Sequence, residues 1–213
     1  MHRIEHSAKN WLNWVIFILG LFHLKMAATN TFWRIHIEPA AVKDDATGFF
    51  EYIHHLHAKE TGKFASEPGF QQMHDAIHHV TWVDVLDCWQ IKAGLIGHHN
   101  LKYFARSKPD WDTIEEMSNT ILRKNLPGAD FADNRDLNDG VHDKVFKNVA
   151  LQKQHGLMYV ELSHAMNHGN VGCILQLWPY WIAIFKSMGK SKYTVHMIWF
   201  IMDLDHVYPP WLR

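Results

Sequence analysis

Residues 11–33 read WLNWVIFILGLFHLKMAATNTFW, and what this stretch becomes decides between a purely helical chain and one that carries a sheet. Trp14–Leu19 is a compact apolar run rich in β-branched and aromatic residues, the composition of a short buried strand. Gly20 breaks it. Beyond the glycine, Leu21, Leu24, Ala28 and Phe32 recur at helical spacing, so the stretch predicts a short strand feeding a helix. Its unbroken apolar part, Trp14–Phe22, falls well short of the ~20 apolar residues that a spanning helix needs, and no membrane span is expected. Arg3, Lys9 and Met26-Ala27-Ala28 loosely imitate a signal peptide with its cleavage site, but a short apolar run is more often a core strand.

Outward from that stretch the pattern is helical. Thr47–Lys59 places Phe49, Phe50, Ile53 and Leu56 on one side, and Lys59–Pro68 (KETGKFASEP) is a loop in which Ser66 stands ready to cap the next helix. Then comes GFQQMHDAIHHVTWVDVLDCW, residues 69–89, where Phe70, Met73, Ile77, Val80 and Val83 form one apolar stripe. Ala93–Ser107 is a looser helical link. Trp111–Leu126 comes after it, with Asp110 as its N-cap, Trp111, Ile114, Met117 and Ile121 inward, and Pro127-Gly128 as its stop. Phe131–Gly140 alternates acids and amides like a calcium loop, but its glycine is one place late and its twelfth position is Val145 rather than Glu. His142–His168 is a long helix with Gly156 as a weak point. Cys173–Met188 is kinked or restarted at Pro179 and closed by Gly189, and Ser191–His206 is the last helix.

The expected fold is therefore mainly α, an irregular multi-helix single domain over residues 1–213, with six to eight helices and at most one or two short strands near the N-terminus. Composition agrees with a packed core: of 213 residues, 10 are Trp and 12 are Phe, and large rings bury much surface each. A net charge of −1 lacks the basic excess of a domain that holds a phosphate backbone. Two cysteines, Cys88 and Cys173, make no disulfide framework and suit a reducing compartment, cytoplasmic or nuclear.

The runs Gly20–Ala27 (GLFHLKMA), Trp33-Arg34-Ile35, Lys59–Lys63 (KETGK), Pro68-Gly69-Phe70 with Met73-His74, and Leu86–Trp89 (LDCW) stand in order along the chain. Glu161–Gly172 (ELSHAMNHGNVG), Lys190–Tyr193 with His196-Met197, and Val207–Arg213 (VYPPWLR) continue the series. Together they resemble a fungal family, domain of unknown function 6589, over nearly the whole chain. The resemblance implies that this chain corresponds to the C-terminal portion of the family domain, without the upstream part that often carries a Gly-Asp-Gln-Leu-Thr run. It implies no activity, and the family's many copies suggest a link with mobile elements by association only. The chain departs from the pattern at Asn170, where an Asp is frequent, at Ser191, where a His is common, and at Val160, where an acid is frequent.

Three constellations bear on chemistry. His74 and His78, at i and i+4, can face one transition-metal ion, with His23 and Cys88 as further candidate ligands, but the Glu of a zincin motif is missing. Among 18 histidines chance pairs are expected, so helix-surface or core histidines are the favoured reading and no resident cofactor is assigned. Lys186, Lys190 and Lys192 beside Tyr193 form a compact basic patch that would touch phosphates with a base on the ring; the bland reading is a complement to a helix C-terminus. Glu161 would be the last acid of a ribonuclease-H-like transposase core using Mg²⁺, a reading that needs a first acid upstream of this chain. The favoured function is thus an uncharacterised intracellular helical domain, non-catalytic by itself and with an unknown partner. The alternatives are a fragment of a metal-dependent nucleic-acid enzyme lacking its upstream half, and a His-rich metal-binding module.

Overall fold

Short polar side chains set three of the helix starts. Asn100 Oδ1 accepts the Tyr103 backbone N–H at 3.0 Å, Asp110 Oδ1 accepts that of Thr113 at 2.8 Å, and Asn170 Oδ1 accepts that of Cys173 at 3.1 Å. Each satisfies a donor that the first turn leaves open, worth ~1 kcal/mol. At the other end, Gly169 and Gly189 take positive φ angles of 66° and 70°. That left-handed geometry lets the N–H of Asn170 reach Ala165 O and that of Lys190 reach Phe185 O, both at 2.8 Å, closing the two helices that precede them.

The computed structural model describes residues 20–37, 48–59, 61–66, 68–128 and 144–208. Nine helices lie among them: α1 Leu21–His36, α2 Phe49–Leu56, α3 Thr61–Ala65, α4 Phe70–Leu95, α5 Leu101–Arg106, α6 Trp111–Asn125, α7 Lys144–Asn167, α8 Val171–Ser187 and α9 Ser191–His206. No strand occurs among the described residues, and the strand expected at Trp14–Leu19 lies outside them, as does the polar loop Phe131–Gly140. The fold is mainly α, one helix richer than the upper expectation.

Several local expectations are corrected. The KETGKFASEP segment is not all loop: Thr61–Ala65 winds into α3, and Ser66 donates to Lys63 O at 3.1 Å, finishing that turn instead of capping the next helix. The N-cap of α4 is Gly69, whose N–H donates to Gln72 Oε1 at 3.1 Å. The α8 helix runs from Val171 through Pro179 without a restart. Trp111 is 72 % exposed, because at N1 it precedes the turn that Met117 anchors. The buried stripe of α4 passes not through Val83 but through Thr81, Asp84 and Cys88, following the 3.6-residue period from Ile77 and Val80.

Two helices organise the rest. The α4 helix touches α1, α2, α5, α6 and α7, and α7 touches α1, α4 and α8. The main core gathers Leu24 and Phe32 of α1, Ile77 and Val80 of α4, Leu162 of α7, Trp178 and Trp181 of α8 and Met197 of α9. A satellite core of Ala93, Phe104 and Met117, with Trp89 and Leu101 against it, joins the far end of α4 to α5 and α6. Gly156 is no weak point. A Cβ there would stand 2.5 Å from Thr81 Oγ1, so the missing side chain is what lets α7 and α4 approach.

Candidate functional site

The α4–α7 contact holds two polar clusters. In the first, Thr29 of α1 donates its hydroxyl to Lys25 O at 2.8 Å, which leaves its oxygen to accept from the Tyr159 phenol at 2.7 Å. The Tyr159 oxygen then accepts from His74 Nδ1 at 2.7 Å, so this pattern of donors assigns the His74 proton to Nδ1. Burial pushes the Tyr159 phenol up and the His74 imidazole down, with Lys25 adding to the latter. His78 lies against His74, ring centroids 4.4 Å apart, and its Nε2 is buried without a hydrogen-bond partner among the described residues. Burial, His74 and Lys25 bring His78 down to about 4. Beside them His36 Nε2 and His155 Nδ1 share a hydrogen bond of 2.9 Å, and burial followed by the His155 neighbour pushes His36 down to about 3.

The second cluster floors a pocket. Between α4, α6 and α7 lies a cavity of about 170 Å³, walled by Val85, Trp89, Ile121, Leu122, Leu126 and Leu157. Asp84, Cys88 and Lys153 supply its polar groups, with Thr81, Ser118 and Asn125 completing the lining. The Lys153 ammonium stands 4.0 Å from Asp84 Oδ1 and 3.8 Å from Cys88 Sγ. Burial pushes the Asp84 carboxyl up to about 6, against the pull of Lys153 and with some help from Asp87. Burial likewise raises the Cys88 thiol, the reverse of what an activated thiolate needs. A mostly apolar hollow with a few convergent polar groups and a displaced carboxyl pKa is what a small-molecule site looks like.

Of the residues singled out in the sequence, His74 and His78 are brought together, whereas the others lie apart from them. His23 is exposed on α1, and Cys88 sits about 20 Å further along α4 than His74. Among the described residues no three His, Cys, Asp or Glu side chains converge to hold a metal ion. Glu161 is exposed and accepts a hydrogen bond from the Cys173 thiol at 2.8 Å, which raises that thiol's pKa. Lys190 donates to Asn30 Oδ1 at 2.9 Å and ties the start of α9 to α1. Lys186 and Lys192 are exposed, whereas the Tyr193 ring packs on Phe185, centroids 5.7 Å apart, so the four do not form one face with a free ring.

A profile of the family of unknown function (DUF6589) matches residues 1–213. The chain belongs to that family. Comparison with curated proteins and with solved structures found no match. In this family member Asn170, a position where an Asp is the expectation from the resemblance, is the N-cap of α8. Asp and Asn cap almost equally well, so this departure has a structural account that needs no lost catalytic charge. The pocket residues Asp84 and Lys153, and the network residues Thr29 and Tyr159, were not legible as a site. Asp84 alone left a trace, as an acid on the apolar side of α4 four residues from both Val80 and Cys88.

Proposed function

We propose that this chain is a non-catalytic helical domain of the reducing intracellular space whose task is to bind a small, mostly apolar molecule between α4, α6 and α7. The observation that carries the reading is the apolar cavity of about 170 Å³ with Asp84, Lys153 and Cys88 at its floor. An apolar cavity of ~150 Å³ already accommodates benzene, so a single ring with a substituent is the right size. The reducing compartment is supported by two free cysteines, neither placed to bridge with the other. The non-catalytic half is supported by the setting of Glu161, an exposed carboxylate spent on a thiol. The mobile-element link rests on the resemblance alone, and no residue of the chain carries it.

The test is ligand-observed NMR with a panel of monocyclic aromatic fragments. Binding is expected in the millimolar range or tighter, and Ser118→Phe, at the half-exposed edge of the pocket, is expected to abolish it while the protein stays folded. A panel without a single binder, or binders that ignore Ser118→Phe, would overturn the reading. The same protein is expected to leave labelled DNA and RNA intact with Mg²⁺ or Mn²⁺. Cleavage that vanishes in Glu161→Gln would establish the enzyme instead.

A further inference from the structure

The floor of the pocket has a spacing that selects a ligand group. A charge-assisted N–H···O hydrogen bond closes at about 2.7–2.9 Å, whereas Lys153 Nζ and Asp84 Oδ1 stand 4.0 Å apart. Both are secluded, with side-chain exposures of 18 % and 9 %. The lysine's other partner, Cys88 Sγ at 3.8 Å, is a weak acceptor. Two opposite charges therefore face each other across a gap that neither closes. One oxygen atom set about 2.8 Å from each fits such a gap, with an angle near 90° at that oxygen. It must accept from the ammonium and donate to the carboxylate. A hydroxyl does both, and a carboxylate, an ammonium or a bare carbonyl does only one.

Resting on the pocket reading above, we propose that the occupant is a neutral monocyclic molecule bearing one hydroxyl, a small phenol or ring alcohol, whose oxygen bridges Lys153 and Asp84. Charge supports neutrality: the ammonium and the carboxylate stand at opposite sides of the gap, so an added charge of either sign would oppose one of them at close range. The walls support the ring. Ile121, Leu122, Leu126 and Leu157 supply apolar side chains to the lining, and Trp89 adds an aromatic ring. Asn125 Nδ2 donates to Ile121 O at 2.9 Å, and among the lining residues Lys153 and Asp84 are the charged pair.

The test titrates the full chain with four ¹⁹F-labelled probes of matched shape: 4-fluorophenol, fluorobenzene, 4-fluorobenzylamine and 4-fluorobenzoate. The phenol is expected to bind roughly ten-fold more tightly than fluorobenzene, the increment of one buried charge-assisted hydrogen bond, and more tightly than either charged probe. In the double variant Asp84→Leu with Lys153→Met, which removes both groups that the hydroxyl meets, the phenol should fall to the affinity of fluorobenzene. Fluorobenzene itself should hold its affinity there, which also shows that the variant has kept its pocket. Equal binding of phenol and fluorobenzene to the unaltered chain overturns the hydroxyl assignment but leaves the pocket reading standing. Tighter binding of the amine or the benzoate overturns it in favour of a charged ligand. Binding of none of the four overturns both readings together.

Discussion

The two polar clusters beside α4 and α7 are built of different groups, hydroxyls and imidazoles in one and an Asp–Lys–Cys set in the other, and they are finished differently. Toward α1, hydrogen bonds of 2.7–2.9 Å join Thr29, Tyr159 and His74 in one chain and His36 with His155 in a pair, and His78 Nε2 is the one buried nitrogen of the cluster without a partner among the described residues. Toward α6, Lys153 donates to the weakly accepting Cys88 Sγ at 3.8 Å, and the Asp84 carboxylate stands off at 4.0 Å. A buried polar group whose partner is in place strengthens the fold, and one whose partner is an ångström too far keeps an unmet demand. The first cluster is thus expected to govern stability and the second to govern binding. Three experiments press on that division.

The largest effect is expected from acid. An unfolded histidine takes its proton near pH 6.5, whereas His36 in the folded chain does so only near 3, because of burial and then of His155. Between those values the unfolded state binds more protons, so stability falls as pH drops through that window. Going from about pH 7 to about pH 4, His36 alone should cost ~3 kcal/mol, with His155 and His78 shifted in the same direction. Asp84 works the other way. Its carboxyl is raised to about 6, so between the ordinary carboxylate range and pH 6 the folded state holds the extra proton, and acid favours folding there. Urea titrations across this range should give a steep loss that flattens in His36→Phe. An unchanged slope in that variant would remove the closed cluster from its role.

The next effect comes from the contact that brings the two helices together. Gly156→Ala drives a Cβ to 2.5 Å from the buried Thr81 Oγ1, with Thr81 Cγ2 at 3.4 Å and Cβ at 3.5 Å. A β-branched, packed side chain cannot swing clear, so the helices must part, at ~1–3 kcal/mol and a Tm loss of about 5 °C. Both clusters should loosen. Adding Thr81→Ala removes the two closest atoms and should restore most of the loss. If Gly156→Ala melts like the unaltered chain, close approach is not what Gly156 provides.

Much of the fold was legible because it is written locally. Helical spacing, the cap at Asp110 and the left-handed Gly189 each depend on residues within one turn. Gly156 misled for the same reason: within its own helix a glycine reads as a cost, and the residue that explains it, Thr81, is on α4. The pocket was illegible because its polar floor joins Asp84 and Cys88 of one helix to Lys153 of another, and no motif announces such a pairing. The His74–His78 spacing marks His74 as a candidate metal ligand. Its partner is the phenol of Tyr159, however, and ring pairing at i, i+4 cannot distinguish that from a metal ion.

The smallest effect is the most discriminating, since it removes hydrogen-bonding groups from each cluster in turn. Tyr159→Phe deletes one oxygen, leaving His74 Nδ1–H without its acceptor and Thr29 Oγ1 without its donor, and should cost ~1–3 kcal/mol. The double variant Asp84→Leu with Lys153→Met deletes two opposite charges. A buried ion pair replaced by apolar side chains of similar size is often neutral or stabilising, because the desolvation penalty disappears with the attraction. At 4.0 Å the attraction forgone is weaker than for a closed pair. Thermal melts at neutral pH should therefore place the double variant within ~1 kcal/mol of the unaltered chain or above it, and Tyr159→Phe clearly below. A double variant that falls as far as Tyr159→Phe would mean that Asp84 and Lys153 hold the helices together, and the distinction between a closed cluster for folding and an open one for binding would be lost.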